Sequence, residues 1–238
     1  QITVMFADMR GFTSFTEAHA PEETLGMLNR LFGALGQEIV SRSGTIDKFI
    51  GDSIMAFWNA PIDVADHARR ACEAALAMRA TLDNLNQDGR LSGIAIGMGL
   101  STGEALVGNM GLESRFDYSA IGDSVNVASR VEGESKIIGF DIVAAETTRN
   151  AVPGLAWLEA GSVQLKGKSQ RLPIHILVGD AALAQSPAFV ELRAAHTAWL
   201  KGLVPFERCV ALAAAVHPRL RRFYELVPGR AEDFGSPA

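Results

Sequence analysis

Two aspartates, Asp8 and Asp52, carry the first chemical signal in the chain. They stand in Ile2-Thr-Val-Met-Phe-Ala-Asp8-Met-Arg-Gly11 and in Asp47-Lys48-Phe-Ile-Gly51-Asp52. Each follows a short apolar run and lies at or beside a glycine, the pattern of a buried strand running into a tight turn. One such aspartate alone is an ordinary turn former or helix cap. Two brought together on rigid scaffold, with their oxygens open, would make a site for a hard divalent cation, which takes oxygen ligands. Further on, Asn126 and Arg130 lie four residues apart, and so on one face of a helix. Lys166 and Lys168 flank Gly167 between two strand-like runs.

These residues need elements to hold them. After Asp8 the backbone turns through Gly11 into Phe12-Thr13-Ser14, a helical start whose free N–H groups could hold phosphate oxygens. A long helix is expected from about Pro21, with Glu22 and Glu23 in its first turn. Its apolar stripe is Leu25, Leu28, Phe32, Leu35 and Ile39, and Gly44 closes it. Residues 45–58 read as a β-hairpin with Gly51-Asp52 in the turn. A second helix covers roughly 64–87, with Ala71, Ala75, Met78, Leu82 and Leu85 on one face. Residues 94–110 read as a second hairpin, and the glycines of Ile94-Ala-Ile-Gly-Met-Gly-Leu100 suggest close approach of another backbone or a ligand. Tyr118–Ile121 is a short strand that leads through Gly122 into a helix capped by Asp123 or Ser124. Strands near 140–145, 156–166 and 172–178 complete the pattern. It is an α+β architecture with helices on a largely antiparallel sheet, ending at about residue 180. From 181 to 238 the composition turns to Ala, Leu and Arg, which reads as a helical C-terminal extension.

Composition limits the possibilities. The 238 residues are 48% hydrophobic and 21% charged, with a formal net charge of −5. That balance suits a globular domain and argues against nucleic-acid binding by bulk electrostatics. Cys72 and Cys209 lack metal-type spacing and fit a reducing, cytoplasmic compartment. No run of 18 apolar residues and no signal peptide is found. The chain opens at Gln1 directly before a strand, so an upstream region, with a sensor, is expected to precede it.

The stretches Phe-Ala-Asp8-Met-Arg-Gly-Phe-Thr-Ser, Lys48-Phe-Ile-Gly-Asp52, Ile-Gly-Asp-Ser-Val-Asn126-Val-Ala-Ser-Arg130 and Lys166-Gly-Lys together resemble the class III nucleotidyl cyclases, in the same order. The resemblance covers roughly residues 1–180. It implies a ferredoxin-like βαββαβ core with additions, and conversion of ATP to 3′,5′-cyclic AMP and pyrophosphate. It also implies two Mg²⁺ or Mn²⁺ ions per site on Asp8, Asp52 and the Met9 carbonyl, activating the ribose 3′-hydroxyl and neutralising the phosphates. The amides of Gly11, Phe12, Thr13 and Ser14 would cradle the β- and γ-phosphates. Asn126 matches the ribose-orienting residue and Arg130 the residue that stabilises charge on the α-phosphoryl group. Lys166 matches the triphosphate ligand, with Lys168 a near neighbour.

Base choice rests on Lys48 and Ser119, which match the purine-selecting positions. A Lys ammonium only donates, which suits N1 of adenine and opposes N1–H of guanine. Ser119 stands where many adenylyl cyclases have Asp, and resembles a bacterial Ser/Thr-variant subgroup in which some members respond to bicarbonate. In this family the metal aspartates of one subunit face the Lys, Asn and Arg of the other, so a homodimer with two interfacial sites is implied. Bacterial relatives are often attached to membrane-anchored sensor regions. The competing readings are a guanylate cyclase and a catalytically silent nucleotide-sensing or dimerisation module. The Gly-Gly-Asp/Glu-Glu-Phe signature of diguanylate synthesis is missing. In the extension, Arg219, Arg221 and Arg222 beside Phe223 and Tyr224 read as a solvated helix end, or else as a contact for a partner or anionic lipid.

Overall fold

The computed structural model describes residues 1–89, 91, 93–112, 115–164 and 171–227. Strand β1 (Ile2–Arg10) leads through Gly11 into helices α1 (Phe12–Ala18) and α2 (Pro21–Val40). Next come a hairpin of β2 (Thr45–Ile50) and β3 (Ser53–Trp58), helix α3 (His67–Gln87) and strand β4 (Ala95–Gly103). Strands β5 (Leu106–Leu112) and β6 (Arg115–Ile121) precede helix α4 (Asp123–Ile138) and strand β7 (Ile142–Ala145). Helix α5 (Glu146–Ala151) is followed by β8 (Ala156–Gln164) and β9 (Arg171–Gly179). Helices α6 (Ala181–Gln185), α7 (Pro187–Leu200), α8 (Phe206–Val216) and α9 (Leu220–Leu226) close the described chain.

Seven strands form one sheet in the order β2-β3-β1-β4-β7-β9-β8. Every pairing in it is antiparallel except β4 with β7. Its first four strands, with α2 and α3 as crossovers, give the ferredoxin-like βαββαβ arrangement that the sequence implies. One face of β1 presents Met5, Ala7 and Met9 to a core shared with Leu31, Leu35 and Ile39 of α2 and Ala71, Ala75 and Met78 of α3. On the other face α4 lies directly over β4. A Cβ added at Gly99 would stand 2.1 Å from the Glu132 nitrogen and 2.4 Å from the Ala128 oxygen. Only glycine permits that approach.

Three local expectations change. Residues 94–110 are not a hairpin: β4 pairs with β1 and β7, and both of its edges are taken. Strand β5 instead pairs with β6 in a separate two-stranded sheet, over a longer stretch than Tyr118–Ile121. The buried stripe of α2 runs through Met27, Leu31, Leu35 and Ile39, while Leu25 is 60% exposed. Phe32 sits at the rim of that stripe, stacked on Phe49 of β2 at a ring-centre distance of 4.5 Å. Neither Asp123 nor Ser124 caps α4, because the N-cap is Gly122. Ser124 Oγ donates to the Glu104 carbonyl instead.

The helices after Asp180 share a core with the sheet. Phe189, Leu192, Cys209, Leu220 and Phe223 pack with Val131 and Ile138 of α4 and with Val143, Leu158 and Ile176 of the strands. His196 of α7 lies within that interface, 2.9 Å from the Glu159 carbonyl through Nε2 and 3.0 Å from Tyr224 Oη through Nδ1. A carbonyl only accepts, so Nε2 carries the proton and Nδ1 accepts from the tyrosine hydroxyl. Burial holds the His196 pKa down at about 4, against 6.5 for a free imidazole. Between those values the unfolded chain binds the extra proton, so stability from neutral His196 is complete above pH 6.5 and drains as pH falls toward 4. The slope is at most about 1.4 kcal/mol per pH unit. The comparison that isolates it is His196→Gln, whose amide can make the same two bonds without titrating. In urea unfolding the wild-type advantage at pH 7 is expected to shrink by pH 5, and an unchanged gap contradicts the assignment.

Candidate active site at the end of strand β1

Asp8 lies within β1, directly opposite Ser53 of β3 on one side and Gly97 of β4 on the other. Directly opposed residues of antiparallel strands point to the same face about 5 Å apart. The Asp8 carboxylate therefore stands on the sheet face that carries α4. Ser53 Oγ donates to Asp8 Oδ1 and fixes that carboxylate. Asp52 precedes Ser53 in a two-residue turn closed by the Ile50–Ser53 pair, with Gly51 at φ 61°. The two expected metal ligands thus meet at one corner of the sheet.

Their charges act on each other. Burial raises the Asp52 pKa, its own backbone amide opposes the rise, and the Asp8 charge adds to it. Sequence reasoning missed a third carboxylate here. Glu132 Oε1 lies 2.7 Å from where a Gly97 Cβ would be, which puts it over the strand position facing Asp8. Burial, reinforced by Asp8 and Asp52 and opposed by Arg10, pushes Glu132 up to about 7. The glycines flanking Met98 were its sequence signal, since they mark a close approach without naming what approaches.

The donor set fits a hard divalent cation. The Asp8 charge opposes ionisation of Asp52, and a bound cation would relieve that repulsion. Among the described residues no group of three or more His, Cys, Asp or Glu is arranged to hold a metal. Backbone and substrate oxygens would complete the coordination shell, as is usual for Mg²⁺. Met9 is buried in β1, where its carbonyl follows Asp8 directly.

Gly11 takes the left-handed conformation at φ 76° and begins α1 without a side-chain cap. The Phe15 amide bonds to the Gly11 carbonyl at 3.0 Å, so the amides of Phe12, Thr13 and Ser14 lie ahead of the first helical bond. They open beside the end of β1, as the sequence leads one to expect.

Lys48 and Ser119, 71 residues apart, come together. Lys48 Nζ donates to Ser119 Oγ at 3.2 Å, and Ser119 Oγ donates to Asp47 Oδ2 at 2.7 Å. Asp47 also pairs with Lys48 Nζ at 3.2 Å through a fully buried side chain, whereas the Lys48 side chain is 38% exposed. Asp47 is a second residue that the sequence did not single out. It fixes both expected base-reading groups from below.

Asn126 and Arg130 are not brought to the aspartates of their own chain. Both are exposed on α4. At 100° per residue, Arg130 lies roughly 160° around the helix from Glu132, which faces the sheet. The charges acting on Asp52 and Glu132 come from Asp8, Asp52 and Arg10, and Arg130 is not among them. Lys166 falls outside the described residues.

Comparison with known proteins identifies the family of the fold. The family described as adenylate and guanylate cyclase catalytic domain matches residues 1–179. "Adenylate cyclase 1" of Rhizobium meliloti is 37% identical over 183 residues, 75% of this chain and 28% of that protein. "Adenylate cyclase" of Anabaena cylindrica is 37% identical over 190 residues, 74% of this chain and 36% of that protein. The chain therefore spans between about a quarter and just over a third of these relatives. Among solved structures, the adenylyl cyclase CyaB of P. aeruginosa is 32% identical with a TM-score of 0.68, covering 74% of this chain and 92% of that one. The guanylyl cyclase Cya2 is 35% identical with a TM-score of 0.64, covering 75% and 92%.

The Asp47 cluster generates a direct expectation. Asp47→Ala leaves the Lys48 ammonium and the Ser119 hydroxyl without their shared buried acceptor. A cost of about 1–3 kcal/mol is expected in urea unfolding. An unaltered unfolding midpoint would mean that the acceptor holds nothing in place.

Proposed function

The chain belongs to the adenylate and guanylate cyclase catalytic domain family, and from that premise we propose that it is an adenylate cyclase whose active sites form between two copies of the chain. The observation that carries the base choice is the Lys48–Ser119 pair, held 3.2 Å apart. Relatives of both base specificities lie at similar identity, so the reading rests on this pair. Lys48 donates to N1 of adenine, and the Ser119 hydroxyl accepts from the adenine amino group while it donates to Asp47. Guanine would set its N1–H against the ammonium, a repulsive contact that rejects GTP.

The reaction forms the bond from the ribose 3′-oxygen to the α-phosphorus and breaks the bond to pyrophosphate, and the 3′-proton leaves. Class III cyclases are generally divalent-metal dependent, and when bound, Mg²⁺ or Mn²⁺ supplies activation of the 3′-hydroxyl and charge neutralisation. Asp8, Asp52 and the Met9 carbonyl would hold it. The amides of Phe12, Thr13 and Ser14 receive the β- and γ-phosphates, and Lys166 is assigned to the triphosphate. Asn126 orients the ribose. Arg130 stabilises the charge that develops on the α-phosphoryl group, a donor of the kind whose loss costs about 2.7–4 kcal/mol, or 10²–10³ in rate. Positioning and electrostatics supply most of the acceleration in such chemistry.

Three surface features favour the two-chain site. Asn126 and Arg130 face outward, away from their own Asp8. Ile137, on the same face of α4, is 56% exposed. The β5–β6 arm exposes Leu106, Leu112, Phe116 and Ile121, between 58% and 74% each, beside Phe49 and Ile50. A second copy would cover these apolar groups and carry its Arg130 to the Asp8 of the first. It is a self-complementary two-fold arrangement.

The decisive assay is product formation by the purified chain with ATP or GTP in Mg²⁺ and in Mn²⁺. Cyclic AMP from ATP is expected, with far less cyclic GMP. A folded dimer that binds ATP and releases no pyrophosphate would instead support the silent nucleotide-sensing module. Asp8→Ala and Arg130→Ala are each expected to lose at least about 100-fold in rate. Mixed together they regain activity, since one of the two sites in a mixed dimer keeps both residues. Subunits that demonstrably exchange and stay inactive would contradict the shared site.

A further inference from the structure

We infer that Arg219, in the helical segment outside the matched residues 1–179, is a positioning residue for the active site, bracing the corner where the end of α4 meets β1. This rests on the cyclase reading of Asp8 and deepens it. Arg219 Nε lies 2.9 Å from Asp141 Oδ2, and its other nitrogens hold both oxygens of Asp83 of α3 at 2.5 and 3.1 Å. One planar guanidinium thus ties α9 to α3 and to the loop that joins α4 to β7, a bidentate geometry that an ammonium cannot copy.

That loop is also tied to the strand of the catalytic carboxylate. Arg10, two residues after Asp8, donates to the Phe140 carbonyl at 3.1 Å and to Ser135 Oγ of α4 at 3.2 Å. The next residue, Asp141, accepts from the Met98 amide through its carbonyl at 2.7 Å. Its side chain pairs with Arg79 at 3.6 Å and with Arg219. Helix α9 presses on the same corner: a Cβ on Gly139, the residue that ends α4, would meet Leu226 at 2.7 Å and Arg222 at 2.9 Å. The corner therefore has anchors in β1, β4, α3 and α9. Arg219 is the part of the α9 anchor that carries charge. By contrast, among the described residues Arg221 and Arg222 pair along their own helix, with Glu225.

Asp8, Glu132, Asn126 and Arg130 all sit on the two elements that this corner joins. Loosening it shifts β1 against α4. Displacements of about 1 Å can cost 10²-fold in rate. Binding of the base by Lys48 and Ser119 lies elsewhere, so turnover suffers more than nucleotide affinity.

The test compares the complete chain with Arg219→Gln, Arg219→Lys and, as control, Arg221→Gln. Each is assayed for cyclic nucleotide formation in Mn²⁺ well below its unfolding midpoint, with hydrogen exchange followed by mass spectrometry over residues 5–12 and 133–141. Arg219→Gln is expected to lose about tenfold or more in kcat with KM within about twofold, and exchange is expected to speed up in both segments. Arg219→Lys falls between, and Arg221→Gln matches wild type. A lower melting temperature with kcat within about twofold and exchange changed only in α9 overturns the inference. Should Arg219→Gln not fold, the same criteria apply to Arg219→Lys. A wild-type chain that makes no cyclic nucleotide refutes the cyclase reading. The exchange pattern then still decides whether Arg219 braces the corner.

Discussion

Helix α4 can lie against strand β4 because Gly97 and Gly99 present no side chain, and the rest of the site follows from that contact. A methyl group at either position would overlap α4, at Gly99 against backbone atoms that cannot move aside. The contact lowers Glu132 and Ser135 onto the sheet beside Asp8 and Arg10. By the 3.6-residue turn of the helix it also aims Asn126 and Arg130 the opposite way. A single packing constraint therefore concentrates negative charge inside one subunit and displays the complementary cation on its surface. In the proposed two-chain site that surface cation would reach the carboxylates of a second copy.

The second consequence is electrostatic. Asp8, Asp52 and Glu132 gather at a partly buried corner with Arg10 as the cation acting on Glu132 from the same chain. Burial and mutual repulsion hold Asp52 and Glu132 above their ordinary pKa values. A hard divalent cation bound there would relieve that repulsion, and the carboxylates offer it the oxygen ligands it takes. The same logic operates in reverse at Asp47. Its carboxylate is buried but partnered by Lys48, Ser119 and the Ala120 amide, which makes a fixed platform out of the two groups proposed to read the base.

Much of this was legible in the chain. The hairpin around Gly51-Asp52, the turn at Gly11 and the helix bearing Asn126 and Arg130 follow from local rules of glycine, strand length and helical spacing. The ferredoxin-like core followed from the family resemblance that the motifs carry. What escaped were relations between distant segments. Nothing local told β4 to take β1 and β7 as partners rather than β5, because sheet partners are chosen by long-range packing. Glu132 and Asp47 stood one or two residues from recognised positions, yet their roles depend on which face of an element meets the site. The docking of α6–α9 was invisible for the same reason: its apolar residues predict helices, not the surface that they cover. Arg219 read as a solvated helix end until Asp83 and Asp141 were found facing it.

The central claim is that Asp8 and Asp52 together hold a divalent cation for nucleotide chemistry. Its most direct test is Mn²⁺ binding by electron paramagnetic resonance in the presence of a non-cyclising ATP analogue. The account predicts saturable binding by the wild-type chain, weakened at least about tenfold when either Asp8 or Asp52 is replaced by Asn. Equal Mn²⁺ affinity in the wild type and in both variants would contradict it.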